Sequence, residues 1–249
     1  QTIADHVNDI FGTAIECALT MEGQVTNNED IVPGDNVMVI ARTNAELFPY
    51  AIRFLANGFK VNLTNKYLLD GMILRLIGAS HEEVCPNCGE PLVSRKSKKA
   101  WGKPYFLACG AWPNCKKGHM QFDWEIKGNG EVLRRILAEL TVEAETADSE
   151  RVAEIEDEKE IFKFLLGELT PIEAVDKLKA LSQCEEGTVL TTCHKAKGLE
   201  SDVVNVLLGG FVKCEAKAKE LEDLVQSEQE KNLQFVAFTR ARQRLNIVQ

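Results

Sequence analysis

The spacing of apolar residues along the chain changes repeatedly between the periods of helices and strands. Residues 2–18 carry apolar side chains three and four positions apart, which predicts an amphipathic helix. Residues 37–41 form a continuous apolar run that predicts a strand buried on both faces. A helix is predicted at 44–57 and a second strand at 59–63. Because a helix joins two strands here, the pattern indicates an α/β fold with a parallel sheet.

The α/β pattern is interrupted in the middle of the chain. It stops after a predicted helix that ends before Gly78, and it resumes at Val189. Residues 84–122 are rich in Cys, Gly and Lys and show little helical spacing, whereas residues 130–181 return to it. We therefore predict one α/β domain that is split in sequence by two insertions. The predicted bounds are 1–78 with 183–249 for the α/β domain, 79–126 for a Cys-rich module and 127–182 for a helical segment.

Residues 189–206 combine two apolar runs with a short polar turn, in the sequence V-L-T-T-C-H-K-A-K-G-L-E-S-D-V-V-N-V. The turn contains His194, Lys197 and Gly198, and Glu200 follows it. We expect this arrangement to place cations, a backbone amide and a carboxylate at one edge of the sheet, where α/β proteins bind nucleotides and nucleic acids. Taken alone, however, His194 is more typical of a capped turn residue than of a ligand.

Four of the eight cysteines lie in two close pairs. Cys85 and Cys88 stand in the sequence C-P-N-C-G, and Cys109 and Cys115 stand in C-G-A-W-P-N-C. Two such turns bring four thiolates to one ion, and their separation is typical of a zinc ribbon. A site with four protein ligands has no open position, so we predict a structural zinc ion without a catalytic role. Clustered cysteines without a secretory signal also indicate a reducing compartment.

The Cys-rich module is basic, although the whole chain carries a net charge of −9. Between its cysteine pairs, cationic residues are interleaved with aromatic ones, a composition typical of surfaces that bind single-stranded nucleic acid. The alternative is that the aromatic side chains form the small core of the ribbon and the lysines are only solvated. The predicted DNA contacts in this module are Lys98, Lys99 and Trp101.

The polar turn closely resembles the T-x-H-x-A-K-G-L-E signature of UvrD/Rep/PcrA-like superfamily 1 DNA helicases. Residues 39–44, V-I-A-R-T-N, look like the strand and arginine of the family's fourth motif. Residues 230–242 are similar to the sixth motif, E-R-R-L-x-Y-V-A-x-T-R-A, and the three segments occur in the family's order. Ser201 departs from the pattern because the family usually has Phe there. The turn positions that match are Thr192, His194, Ala196, Lys197, Gly198, Leu199 and Glu200.

The Cys-rich module has a resemblance of its own, to the four-Cys zinc modules at the C-terminal end of bacterial type I topoisomerases. The shared features are C-P-x-C-G, a basic middle and F-x-x-C-x-x-x-P-x-C, which here begins at Phe106. This resemblance implies binding of single-stranded DNA, and it covers only the insertion.

The helicase resemblance implies the C-terminal, second RecA-like domain of an ATP-dependent DNA helicase. It implies a RecA-like parallel sheet with helices on both faces, interrupted by a zinc ribbon and by a helical segment that is a reduced form of the family's 2B subdomain. Arg240 would be the arginine finger, and Arg42 would contact the γ-phosphate. The resemblance implies nucleotide contacts at Arg42, Gly198, Glu200 and Arg240, and single-stranded DNA contacts at Thr192, His194 and Lys197.

The sequence contains neither a G-x-x-x-x-G-K-[ST] loop nor an acidic Mg²⁺-binding strand motif. In the family both belong to the N-terminal RecA-like domain, which is therefore the implied partner for a shared ATP and Mg²⁺ site. Since the chain begins with Gln1 rather than Met, we expect part of a longer protein that is inactive alone. Repair or replication proteins are further implied partners, and the implied location is cytoplasmic and nucleoid-associated. No apolar run approaches a membrane span, so no membrane partner is expected.

Two alternative functions stay open on the sequence. The first is a non-catalytic zinc-ribbon DNA-binding or adaptor protein with a degenerate RecA-like domain. The second is a translocase that works within a nuclease complex. Arg42 and Arg240 are, without the motifs, also typical of solvated charges at strand ends, so the helicase interpretation depends on the three segments together.

Overall fold

The chain folds into two compact units, Gln1–Thr64 with Cys184–Gln249 and Asn65–Gln183. The first division lies at residue 64, whereas the sequence pattern predicted a domain boundary at residue 78. The computed structural model describes residues 2–12, 23–27, 30–80, 85, 88, 90, 92–96, 105–115, 119–120, 129–220 and 224–249.

Both strands and helices occur at each end of the chain. The strands are β1 (Gln24–Thr26), β2 (Val37–Ala41), β3 (Val61–Leu63), β4 (Leu92–Lys96), β5 (Tyr105–Cys109), β6 (His119–Met120), β7 (Thr188–Thr192), β8 (Ser201–Leu207) and β9 (Ala241–Val248). The helices are α1 (Ile3–Phe11), α2 (Asn44–Ala56), α3 (Lys66–Ala79), α4 (Asn129–Thr146), α5 (Ser149–Glu168), α6 (Pro171–Gln183), α7 (Gly209–Glu220) and α8 (Leu224–Phe238).

Six parallel strands form the sheet of the first unit, in the order β1-β9-β8-β2-β7-β3. The predicted α/β fold with a parallel sheet is therefore confirmed. Met38 and Ile40 of β2 lie in the hydrophobic cluster to which α1, α7 and α8 contribute. Val39 and Ala41 are equally buried and point to the opposite face, because side chains alternate along a strand. Both faces of β2 are thus covered, which explains its continuous apolar run.

Helix α1 is shorter than the predicted helix at 2–18. It begins at the capping box of Thr2 and Asp5, in which each side chain bonds the backbone N–H of the other residue. It ends at Gly12, which adopts φ 62° and closes the helix with a bond to the Asn8 carbonyl. Residues 13–18 of the prediction lie outside the described residues.

Glu46 joins the starts of two helices at the carboxyl edge of the sheet. Its carboxylate accepts the N–H groups of Arg42 and Thr43 at 3.2 Å and caps α2. It also accepts the N–H of Gly210 at 2.6 Å, in the first turn of α7. A side chain at Gly210 would collide with this carboxylate, so the position favours glycine.

A row of buried polar side chains crosses the sheet of the first unit. The Thr26 hydroxyl donates to Asn246 Oδ1 at 3.0 Å, and Asn246 Nδ2 donates to Asn205 Oδ1 at 3.0 Å. Asn205 Nδ2 continues the row to the Met38 carbonyl. These side chains stand in register on β1, β9 and β8. A slip of one strand would leave buried amides without partners, so the row specifies the register.

The described part of the second unit combines four helices with an antiparallel sheet of three strands, in the order β4-β5-β6. Helix α3 packs against α4, α6 and β4. Arg75 of α3 forms ion pairs with Glu143 of α4 and with the buried Glu158 of α5. Arg151 of α5 bonds the same two carboxylates at 2.8 Å. The carboxylates of Glu143 and Glu158 therefore join α3, α4 and α5 through their ion pairs with the two arginines.

We predict that Asn205→Leu destabilises the first unit by about 1–3 kcal/mol, because the hydrogen bond from Asn246 Nδ2 to Asn205 Oδ1 is then lost in the core. Urea unfolding followed by circular dichroism measures the loss. The double variant Asn205→Leu/Asn246→Leu is the matched comparison, and it should cost less than the sum of the two single variants. A single variant as stable as the native chain would show that the row contributes nothing.

Candidate functional site

The polar turn after β7 is anchored in the core by two of its own side chains. Cys193 and Ala196 are fully buried in the hydrophobic cluster on one face of the sheet. The N–H of Ala196 donates to the Thr192 carbonyl at 2.9 Å and closes the turn. Gly198 ends it with φ 87°, a conformation that favours glycine. The side chains of His194, Lys195 and Lys197 are exposed.

Arg42 lies beside this turn, at the carboxyl end of β2. The N–H of Cys193 donates to the Ala41 carbonyl at 2.9 Å, so the turn and the strand end are directly joined. The guanidinium of Arg42 bonds both carboxylate oxygens of Glu230 on α8, from Nε and from Nη2, at 2.8 Å each. Glu230 is 2% exposed and Arg42 is partly exposed, so this is a bidentate pair with a buried acid.

The charge of Arg42 also acts on the neighbouring turn. The pKa of Arg42 is raised, chiefly by the hydrogen bond to Glu230. The pKa of His194 is lowered by desolvation and then by the positive charge of Arg42, so its imidazole is neutral at pH 7. Burial raises the pKa of the Cys193 thiol to about 11, which leaves it protonated and unreactive. His194 can therefore donate or accept a hydrogen bond without carrying charge.

A second charged group lies at the amino end of β8 and β9. Glu200 directly precedes β8 and forms an exposed ion pair with Arg242, with Oε2 and Nε 3.0 Å apart. Arg240 precedes β9, and its carbonyl accepts the N–H of Ser201 at 3.1 Å. The Arg240 side chain folds back on the end of α8, where Nε donates to the Val236 carbonyl at 2.9 Å.

The two groups stand at opposite ends of the parallel sheet. Ala41 pairs with Thr192 at the carboxyl end, and Ser201 pairs with Ala241 at the amino end. The seven residues of β8 span about 20 Å at the usual rise of a strand. The expectation that the turn's cations and Glu200 share one edge is therefore wrong.

The physical reason for this separation is the parallel sheet. The short connection between β7 and β8 has to return from the carboxyl edge to the amino edge, because both strands run in the same direction. Its beginning therefore lies beside Arg42 and its end beside Arg240. Arg42 lies with Thr192 and His194, and it is separated from Glu200 and Arg240.

The four predicted metal ligands converge in the second unit. The sulfurs of Cys88 and Cys109 are 3.3 Å apart, and those of Cys85 and Cys115 are 3.7 Å apart. All four lie within 4.8 Å of one another, as ligands of a single ion would. Among the described residues, the hydrophobic cluster here consists of three of these cysteines, with Leu92 and Ala111 at its margin. The arrangement can hold a metal ion. Because the apolar core here is small, such an ion would stabilise the fold of this module.

The predicted site and the structure differ in which residues they include. Lys98, Lys99 and Trp101 lie outside the described residues. Glu230 was predicted only as the first residue of the segment similar to the sixth motif, without a role of its own, and Glu46 was not predicted at all. Their roles depend on contacts with residues 188 and 164 positions away along the chain, which no local pattern indicates.

The fold and the polar turn define a class of α/β protein that binds nucleotides or nucleic acids at the edges of its sheet. Residues 127–249 match the family model described as UvrD-like helicase C-terminal domain, and this part of the chain is a member of that family. The resemblance of the turn at 193–200 and of residues 230–242 is thereby confirmed. Residues 39–44 lie outside the match, and their assignment stays a prediction. No curated protein matches the chain.

The match supports a helicase-type C-terminal domain in residues 127–249, and nucleic acid is the ligand that this family implies. The matched range begins just before α4, so it includes α4, α5 and α6 together with the last three strands of the sheet. Among the helices of the described residues, none combines the length and the apolar character of a membrane span.

We predict that the four cysteines bind one metal ion per chain. Element analysis of reduced, purified protein should find about one equivalent, and Cys88→Ser/Cys109→Ser should lose it because only two thiolates remain. Cys184→Ser is the matched control, since Cys184 lies outside the cluster. Less than roughly half an equivalent in the native protein would contradict a structural site.

Proposed function

We propose that this chain is the C-terminal motor domain of an ATP-dependent DNA helicase or translocase. The observation that carries the proposal is the connection at 193–200, which has the family signature and joins the two charged groups of the sheet. The group that contains Glu200 and Arg240 then faces the nucleotide. The group that contains Arg42 and His194 faces single-stranded DNA. The short path between them gives a physical route by which one ligand can affect the other.

The nucleotide side comprises Glu200 and Arg240 at the amino edge, and Gly198 lies in the connection that leads to them. Transfer of the γ-phosphoryl group needs positive charge on its oxygens, and an arginine from a second domain can supply it. Arg240 suits this role because it is partly exposed and its fork of donors matches phosphate oxygens. The phosphate-binding lysine and the Mg²⁺ ligands would come from a partner RecA-like domain, because this sequence has no G-x-x-x-x-G-K-[ST] loop.

The DNA side comprises Thr192 and His194 at the carboxyl edge, and Lys197 lies further along the same connection. Arg42 was expected at the γ-phosphate from its motif. Its position beside His194 and about a strand length from Arg240 favours a role on the DNA side instead. A neutral His194 and a cationic Arg42 together offer hydrogen bonds and charge to a phosphodiester backbone.

The second unit adds a metal-stabilised module to the motor. Four thiolates in close approach favour zinc among the common metals of a reducing compartment. The basic segment that contains Lys98, Lys99 and Trp101 would hold single-stranded DNA by charge and stacking. Helices α4, α5 and α6 would then be a reduced form of the family's helical subdomain. Such a protein would work in DNA repair or replication in the cytoplasm, at the nucleoid.

We predict that Arg240→Ala lowers DNA-stimulated ATP hydrolysis by about 10³-fold or more, measured on the protein that joins this chain to its P-loop domain. The reason is that the charge on the γ-phosphate oxygens is no longer neutralised in the transition state. Arg244→Ala is the matched control, because Arg244 is an exposed arginine on the strand that follows. Wild-type ATP hydrolysis in Arg240→Ala would contradict the proposal and favour the non-catalytic adaptor.

For the ribbon, we predict that Lys98→Glu/Lys99→Glu weakens binding to a single-stranded oligonucleotide. The slope of log K against log salt should fall by about 0.7 for each phosphate that the two side chains no longer neutralise. Fluorescence anisotropy across a salt series measures both quantities. Lys163→Glu/Lys179→Glu carries the same change in net charge on helices of the same unit and should bind nearly as the native chain does. Equal effects in both variants would show that Lys98 and Lys99 are only solvated.

A further inference from the structure

Glu230 is a buried acid that is paired with the guanidinium of Arg42. It lies in the middle of α8 and is 2% exposed. Both of its oxygens accept hydrogen bonds from Arg42, at 2.8 Å each. A carboxylate removed from water this completely is stable only while its partner stays in place. The geometry of Arg42 is therefore strongly tied to α8.

The backbone of Arg42 is fixed from two further directions. Its own N–H donates to Glu46 at 3.2 Å, and the carbonyl of the preceding Ala41 accepts from Cys193 at 2.9 Å. Strand, turn and helix cap thus hold the main chain, and Glu230 holds the tip of the side chain. A side chain that is usually flexible is therefore held rigidly here.

The guanidinium keeps donors available for a ligand. An arginine has five N–H donors, and Glu230 takes one from Nε and one from Nη2. Within the described residues, no hydrogen bond is made by Nη1. The side chain is 22% exposed, so it is accessible from the carboxyl edge. A phosphate can therefore bind Arg42 while the pair with Glu230 is intact.

We propose that Glu230 is a positioning residue that holds the Arg42 guanidinium in a fixed orientation for a phosphate group of single-stranded nucleic acid. This inference rests on the proposed function, because it takes the carboxyl edge as the DNA side. The phosphate binds in addition to Glu230 and does not displace it, since displacement would leave a buried carboxylate without a partner. The acid supports the arginine in the way that outer carboxylates orient the ligands of a metal.

The first measurement reports on Arg42 itself and needs no ligand. In the native 249-residue chain, the Arg42 Nε–H should give a ¹⁵N NMR signal that exchanges slowly with solvent, because the proton is bonded to a buried oxygen. In Glu230→Gln this protection should be lost. Glu228→Gln is the matched control, an exposed acid on the same helix, and it should leave the signal unchanged.

The second measurement is the affinity for a single-stranded oligothymidylate at low salt, by fluorescence anisotropy. Glu230→Gln should weaken binding about tenfold, the usual value of one hydrogen bond to a charged group. The slope of log K against log salt should fall by about 0.7. Arg42→Ala should have the same two effects, and the double variant should bind no more weakly than Arg42→Ala alone.

Several outcomes would overturn the inference. Unchanged affinity in a folded Glu230→Gln would show that the acid is only structural, and tighter binding would show that it masks Arg42. If Glu230→Gln does not fold, Arg42→Lys replaces it as the test, because lysine keeps the positive charge but lacks the planar set of guanidinium donors. Full affinity for the oligonucleotide in Arg42→Lys would also overturn the inference. If the native chain binds no oligonucleotide, the proposed DNA side fails, whereas the NMR comparison still decides whether Glu230 positions Arg42.

Discussion

The direction of the strands is the constraint on which the rest of the first unit depends. All six strands of its sheet are parallel, so every connection that leaves the carboxyl edge has to return to the amino edge. Between β7 and β8 this return is made by 193–200, which contains the family signature. The buried Cys193 and Ala196 hold the start of that path against the core. One short segment thereby contributes side chains to both ends of the sheet.

Much of this architecture was predictable because its causes are local. The apolar run at 37–41 indicated a buried strand, and the spacing of Cys85, Cys88, Cys109 and Cys115 indicated one shared site. The distribution of charged residues between the two edges was not predictable, since it depends on register and crossover. Neither was the pairing of Glu230 with Arg42, because an acid can pair with any of many cations and only tertiary structure selects one.

Charged side chains and cysteines both contribute to the stability of the second unit. Its helices are rich in acidic residues. Burial raises the pKa of Glu143, but bonds from Arg151 and Arg75 outweigh it and lower the pKa below its usual value. In the described part of the ribbon, by contrast, the apolar core is small beyond the cysteines themselves. The helices have a buried apolar core in addition to these ion pairs, whereas in the described part of the ribbon the four cysteines take the place of a larger core.

Helix α8 connects residues that lie at the two ends of the sheet. Glu230 in its middle is tied to Arg42, and Arg240 follows directly after its last turn. From Glu230 to Phe238, where α8 ends, the helix rises about 12 Å. A helix transmits a displacement along its axis with little loss, because its own hydrogen bonds resist bending. A rotation of α8 that moved the backbone of Arg240 would therefore also strain the ion pair between Glu230 and Arg42.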